Sequence, residues 1–246
     1  KLKIINYNTN KLKENPRLKE GIIGAFCRVY NVFDVIDKFL SHIYKKGDSE
    51  YRYTYINGSS SNGLIIYENG DFAYSHHSTD VCLDKLCNSF DLLRLHKFSS
   101  LDEKVSADTP INKLPSYIKM IEFISQDEKV MLELGNSKLK KAKEDFSDFY
   151  NIQETNINKN YENSWVTKLE VDKKGMYKAS NKNIVTILEN DVNLKGKIAY
   201  NLFSNRTMVK GDLPWRSISD KENGDVWQDS DDANLRVYID VAYGLV

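Results

Sequence analysis

The sequence predicts an α+β fold built in two modules, and three observations carry that reading. Val32, Val35, Ile36, Phe39, Leu40 and Ile43 recur at helical spacing behind Asn31 as an N-cap. Tyr51-Arg52-Tyr53-Thr54-Tyr55 then alternates with period two, and Asn69-Gly70 is a hairpin turn, so a small antiparallel sheet follows the helix. The Asn-rich stretch from Asn151 to Asn163 has few apolar residues and separates these elements from a second set. At 246 residues, with 41% hydrophobic and 11% aromatic residues, the chain has material for a core, which excludes a wholly disordered protein. No stretch approaches the roughly 18 apolar residues of a membrane span.

The elements follow in order. Residues 1–20 are dominated by Asn, Lys and Pro16 without apolar periodicity and are expected to form a linker arm. Ile22 to Tyr30 is a short apolar stretch, and the helix from Val32 runs to Tyr44 before Gly47-Asp48 ends it. Tyr51–Tyr55, Leu64–Tyr67 and Phe72–Tyr74 are strands, the first two separated by the Gly58–Gly63 loop. A polar loop from His76 to Lys85 precedes a helix carrying Phe90, Leu92, Leu93 and Leu95. Residues 99–115 form a loop, followed by helices over Tyr117–Leu134 and Lys138–Phe149. In the second set, Thr167–Val171 is a strand, Asn183–Glu189 a helix, and Lys197–Leu202 with Thr207–Lys210 a strand pair. Asp229 to Asp232 opens a last helix that Gly244 stops. The domains expected are an arm (1–20), a first α+β module (21–100), a helical connector (101–160) and a second α+β module (161–246).

Charge is balanced at 35 basic and 35 acidic residues, but unevenly along the chain. Residues 1–50 carry 10 basic against 6 acidic, 51–160 carry 13 against 16, 161–211 carry 9 against 5, and 212–246 carry 3 against 8. That excludes a uniformly basic nucleic-acid coat and leaves two basic stretches. Three cysteines without a signal-peptide pattern point to a reducing cytoplasm. Catalytic motifs are absent: no P-loop, G-x-S-x-G, H-E-x-x-H or C-x-x-C occurs, and no apolar strand presents the paired carboxylates of a two-metal centre. The chain is therefore expected to make and break no bonds itself.

Binding features remain. His76, His77, Cys82 and Cys87 are zinc-type ligands between a strand and a helix, although adjacent histidines on a strand point to opposite faces. His77, Cys82 and Cys87 form the candidate metal set, with buried structural roles as the competing reading. Asp225, Asp229, Asp231 and Asp232 could hold a divalent cation or cap a helix, and Gly58–Gly63 could meet a phosphate or be a plain loop. Tyr51, Tyr53 and Tyr55 share a strand face, as a stacking platform or as packing against the neighbouring helix. Lys11, Lys13, Lys138, Lys140, Lys141 and Lys143 add basic surface.

The strings "GIIGAFCRVYNVFDVIDKFL", "YRYTYINGSSSNGLIIYENGDFAYSHHSTD", "LCNSFDLLRLHKF", "TPINKLPSY", "NIVTILENDVNLKGKIAYNLFSNRTMVKGDLPW" and "DDANLRVYIDVAYG" resemble the central region of phage and prophage replication proteins of the virulence-associated E family. The resemblance runs from about Asn15 to the end. It implies a segment lying between a primase domain and a superfamily-three-like helicase, with ATP and Mg used only in those flanking domains. The first module is more distantly similar to the zinc-ribbon domain of bacterial primases, with Asn88-Ser89-Phe90-Asp91-Leu92-Leu93 in place of its "GDxIDFV"-like helix. No Cys or His lies around Ile56 to Ser59, where the ribbon's first ligand pair belongs. The resemblance thus implies a degenerate ribbon that has lost its metal, and no cofactor in this segment.

The function expected is a non-catalytic DNA-binding and interdomain module of a primase–helicase, acting in a bacterial host's cytoplasm. Its partners would be single-stranded or primer-template DNA and the flanking primase and helicase domains. Candidate contacts are Arg17, Lys19, Arg28, Arg52, His76, His77, Arg94, Lys97, Arg206 and Lys210. The alternatives are a structural or oligomerisation module, and a metal-dependent nuclease using the Asp225–Asp232 carboxylates.

Overall fold

Lys19 and Gly24 meet at the start of the first helix, α1 (Gly21–Val29): a Cβ on Gly24 would fall 1.7 Å from the Lys19 carbonyl oxygen. Only glycine permits that approach. The computed structural model describes residues 14–146 and 164–245 apart from Lys174 and Lys221, and among them the chain is α+β, with seven α-helices, a five-stranded and a three-stranded antiparallel sheet. Two compact units result, residues 1–120 and 121–246.

In the first unit, Pro16 is buried, and both Arg17 and Asn15 bond the Asp71 carboxylate, so this part of the expected arm is fixed to the body. The rest of that arm, with Lys11 and Lys13, lies outside the described residues. Helix α2 (Val32–Phe39) opens with a reciprocal capping box, Asp34 N–H to Asn31 Oδ1 at 3.0 Å and Asn31 N–H to Asp34 Oδ2 at 2.9 Å. It ends at Leu40, short of the expected Tyr44, because Tyr44 turns into β1 (Tyr44–Lys46) and pairs with Tyr55. The sheet continues through β2 (Arg52–Tyr55), β3 (Leu64–Tyr67), β4 (Phe72–Ser75) and β5 (Leu86–Cys87) in sequence order. Its register puts Tyr44, Tyr53, Leu64, Ile66, Ser75 and Cys87 on one buried face. Helix α3 (Ser89–Phe98), capped by Asn88, lies against α1 and α2 and buries Phe90, Leu92 and Leu93.

The boundary expected at 151–163 lies outside the described residues, and the compact units divide instead within α4 (Pro115–Ile124). The reason is local: Ser116 bonds Arg94, and Tyr117 packs edge-on against Phe90, which ties residues 101–120 to the first unit rather than to a connector. Helix α5 (Glu128–Phe146) runs through Gly135, where the sequence suggested a break. A Cβ there would sit 2.5 Å from Val166 Cγ2, so the glycine serves packing within the helix. The helix break falls at Ser125–Asp127, where Asp127 Oδ1 accepts from Lys129 N–H at 3.0 Å.

Residues Ser164–Lys168 form a 3₁₀ turn where a strand was expected; Trp165 and Val166 are buried together with Leu169 one turn on, and a bridge from Val171 to Tyr177 follows. Helix α6 (Asn181–Asn190) precedes strands β6 (Ile198–Asn201), β7 (Arg206–Val209) and β8 (Asp225–Val226). Helix α7 (Asp229–Tyr243) packs on α5 and stops at Gly244, with φ 65°. No helix among the described residues is long and apolar enough to cross a membrane.

Candidate functional sites: a buried polar centre and an exposed basic hairpin

The loop after β4 and helix α3 bring Asp80, Cys82 and His96 within 4.8 Å of one another in the first unit. His96 Nε2 lies 3.4 Å from Asp80 Oδ1 and 3.6 Å from Cys82 Sγ. The Tyr44 hydroxyl stands among them, 2.7 Å from His96 Nε2 and donating to Asp80 Oδ2 at 2.7 Å. Ser75 Oγ donates to the same oxygen at 2.6 Å, and Cys82 N–H to Oδ1 at 2.8 Å. Burial pushes the Asp80 carboxyl up, but the hydrogen bonds from His96, Ser75, Tyr44 and Cys82 outweigh it and hold it at about 2. The Cys82 thiol is pushed up by its hydrogen bond with Cys87 and by burial, and the Tyr44 phenol by burial and the adjoining acidic groups.

As a metal centre this donor set fits poorly. Asp80 already accepts on both oxygens, and burial with the Cys87 hydrogen bond disfavours the thiolate that a ligand Cys82 would have to become. The chemistry is that of an ionised carboxylate solvated by hydroxyls, an amide and an imidazole. His77, in the expected metal set, is elsewhere: its Nε2 accepts from Tyr55 N–H at 3.1 Å and Gly63 N–H at 3.2 Å, while Nδ1 meets Ser60 Oγ at 3.2 Å. It ties β2 and the β2–β3 loop to the segment after β4 by hydrogen bonds. His96 was missed on the sequence, yet it follows Leu92 by four and Leu93 by three on the buried side of α3.

The expected DNA contacts divide sharply. Arg94 is buried, donating to Ser116 Oγ at 2.8 Å with Asp91 and Asp102 beside it, and so is withdrawn from any phosphate. Arg28 donates to the Arg17 and Lys19 carbonyls, Arg17 pairs with Asp71, and His77 is buried. Arg52 is exposed and donates to the Asn62 carbonyl at 3.1 Å; Lys97 is exposed near the Phe98 ring; Lys19 is exposed; His76 is exposed and packs on Tyr74. The tyrosines of the expected platform make packing contacts: Phe33 of α2 meets the half-exposed Tyr51 edge-on and the buried Tyr53 at a tilt, and Tyr55 meets Tyr44 and His77. No family model, curated protein or solved structure matches this chain.

Arg206 and Lys210 stand differently. Both are exposed on the β6–β7 hairpin of the second unit, and neither side chain enters an ion pair among the described residues. Pairing of Asn201 with Arg206 and of Ala199 with Met208 puts Arg206, Met208 and Lys210 on one face. The other face, with Ile198 and Thr207, borders a cleft of about 330 Å³ shared with Trp227 and Leu235. At the hairpin tip, Tyr200 is 57%, Leu202 82% and Phe203 104% exposed. The acidic group near Asp229 has structural partners: Asp231 is fully buried, accepts from Trp215 Nε1 and Gln228 N–H and pairs with Arg216, while Asp232 accepts from Trp227 Nε1.

Proposed function

We propose that the chain is a non-catalytic DNA-binding and interdomain module of a phage-type primase–helicase, working in the cytoplasm of a bacterial host cell, and that DNA is held by its second unit. The observation that carries this is the outer face of the β6–β7 hairpin, where Arg206 and Lys210 flank apolar Met208 and the tip beyond them presents Phe203. Cations neutralise phosphates and an exposed aromatic ring stacks on an exposed base, which is the chemistry of binding DNA where bases are uncovered. The resemblance to virulence-associated E proteins and the missing catalytic motifs support the same reading. In the first unit the cations Arg17, Arg28 and Arg94 hold carboxylates, carbonyls and a hydroxyl of their own fold, which favours a structural role for them.

Fluorescence anisotropy with labelled single-stranded and primer-template DNA at low salt tests it. Binding that weakens in Arg206→Ala and Lys210→Ala is expected. Absence of binding to either substrate would contradict it.

A further inference from the structure

We propose that the tip of the β6–β7 hairpin is a wedge that caps the last base pair where duplex DNA opens into single strands, with Phe203 stacking on that pair. This rests on the DNA-binding reading and names the substrate more narrowly. Three features carry it. First, the Phe203 side chain is exposed on all sides, at 104%, with Leu202 beside it at 82%, so a whole ring face is open to a planar partner. An apolar pair held out in this way adds little burial to the core.

Second, the tip is built to hold that position. Asn201 Oδ1 accepts from Phe203 N–H at 2.9 Å and Ser204 N–H at 3.2 Å, Tyr200 OH donates to Asn205 Oδ1 at 2.7 Å, and Asn205 takes the left-handed conformation at φ 56°. Side-chain bonds of this kind fix a turn locally. The ordering cost of presenting the ring is met before any partner arrives. Third, charge complements the partner. Arg206 and Lys210 lie four residues apart on one face, roughly 13 Å along the strand, placed to take phosphates of the strand leaving the junction. One terminal ring on a two-stranded projection suits the exposed end of a base stack. A platform for continuous single strands needs a row of rings, which this hairpin does not present.

The test uses the whole 246-residue chain and three DNA probes of matched sequence: a fork, a blunt duplex and a single strand. The wild type should prefer the fork. Phe203→Ala should lose that preference, weakening the fork by roughly tenfold more than it weakens the single strand, and Phe203→Trp should restore it. The residue is fully exposed, so thermal melting of the variants should match the wild type. Equal fork affinity of Phe203→Ala and wild type, with DNA binding intact, would overturn the wedge and leave the broader reading standing. A change in oligomeric state by light scattering in Phe203→Ala, without a change on the fork, would assign the tip to a protein contact and also overturn it. No binding to any of the three probes would remove both readings.

Discussion

Asp80 is the clearest case of one residue setting a measurable property of the fold. Its carboxyl lies at about 2 in the folded chain against 3.8 for an unperturbed aspartate, so its ionisation stabilises the fold above about pH 4. That contribution, about 2 kcal/mol, is lost as the pH falls from about 4 to about 2. Urea unfolding at pH 7 and pH 3 should therefore reveal it. Asp80→Asn should cost about 3 kcal/mol at pH 7, since an amide N–H would face the donors Tyr44, Ser75 and Cys82 N–H, and should lose much of the wild type's extra acid sensitivity. Acid sensitivity equal to wild type in that variant would refute the account. His77→Ala should cost about 2 kcal/mol by stranding the Tyr55 and Gly63 amides, read by the same denaturation. The sequence displayed His77, Cys82 and Cys87, but not the centre that joins Cys82 to Asp80 and His96. Beyond the end of β4 the His77 ring is held by Tyr55, Gly63 and Ser60, while the following loop supplies Asp80 and Cys82 and helical spacing on α3 brings in His96 from fourteen residues further on.

Elements with strong local signals were legible: α2 from its spacing and Asn31 cap, the β3–β4 hairpin from Asn69-Gly70, and α7 from its acidic opening and Gly244. Those misread carried signals that tertiary packing overrides. Tyr44 continued the helical spacing of α2 but serves β1, and Gly135 looked like a helix end but admits Val166. The second case makes a prediction against helix propensity. Alanine at an interior glycine adds about 1 kcal/mol to a helix, yet Gly135→Ala should lower the stability by about 1–2 kcal/mol, because the new methyl overlaps the Val166 side chain. A higher melting temperature in that variant would show that α5 and the Ser164–Lys168 turn can separate without cost.

For the whole molecule, equal numbers of basic and acidic residues conceal how the charges are used. Sequence counting treats Arg94 and Arg206 alike. In the fold the first is buried against Ser116, Asp91 and Asp102, while the second stands exposed on a hairpin. Within residues 161–211, Lys178 and Lys182 pair with Glu170 and Lys197 bonds the Asp212 carbonyl, while Arg206 and Lys210 stand exposed; in residues 212–246, Asp231 and Asp232 serve as cap and indole acceptors. The central claim, that the second unit's hairpin holds DNA, is tested most directly by the salt dependence of single-strand binding in two double variants. Arg206→Ala with Lys210→Ala should lower the slope of log affinity against log salt by about 0.7 for each phosphate contact removed. Arg52→Ala with Lys97→Ala, exposed cations of the first unit, should leave that slope unchanged. A slope that falls only in the second pair, or a wild type that binds no DNA at low salt, would contradict the account.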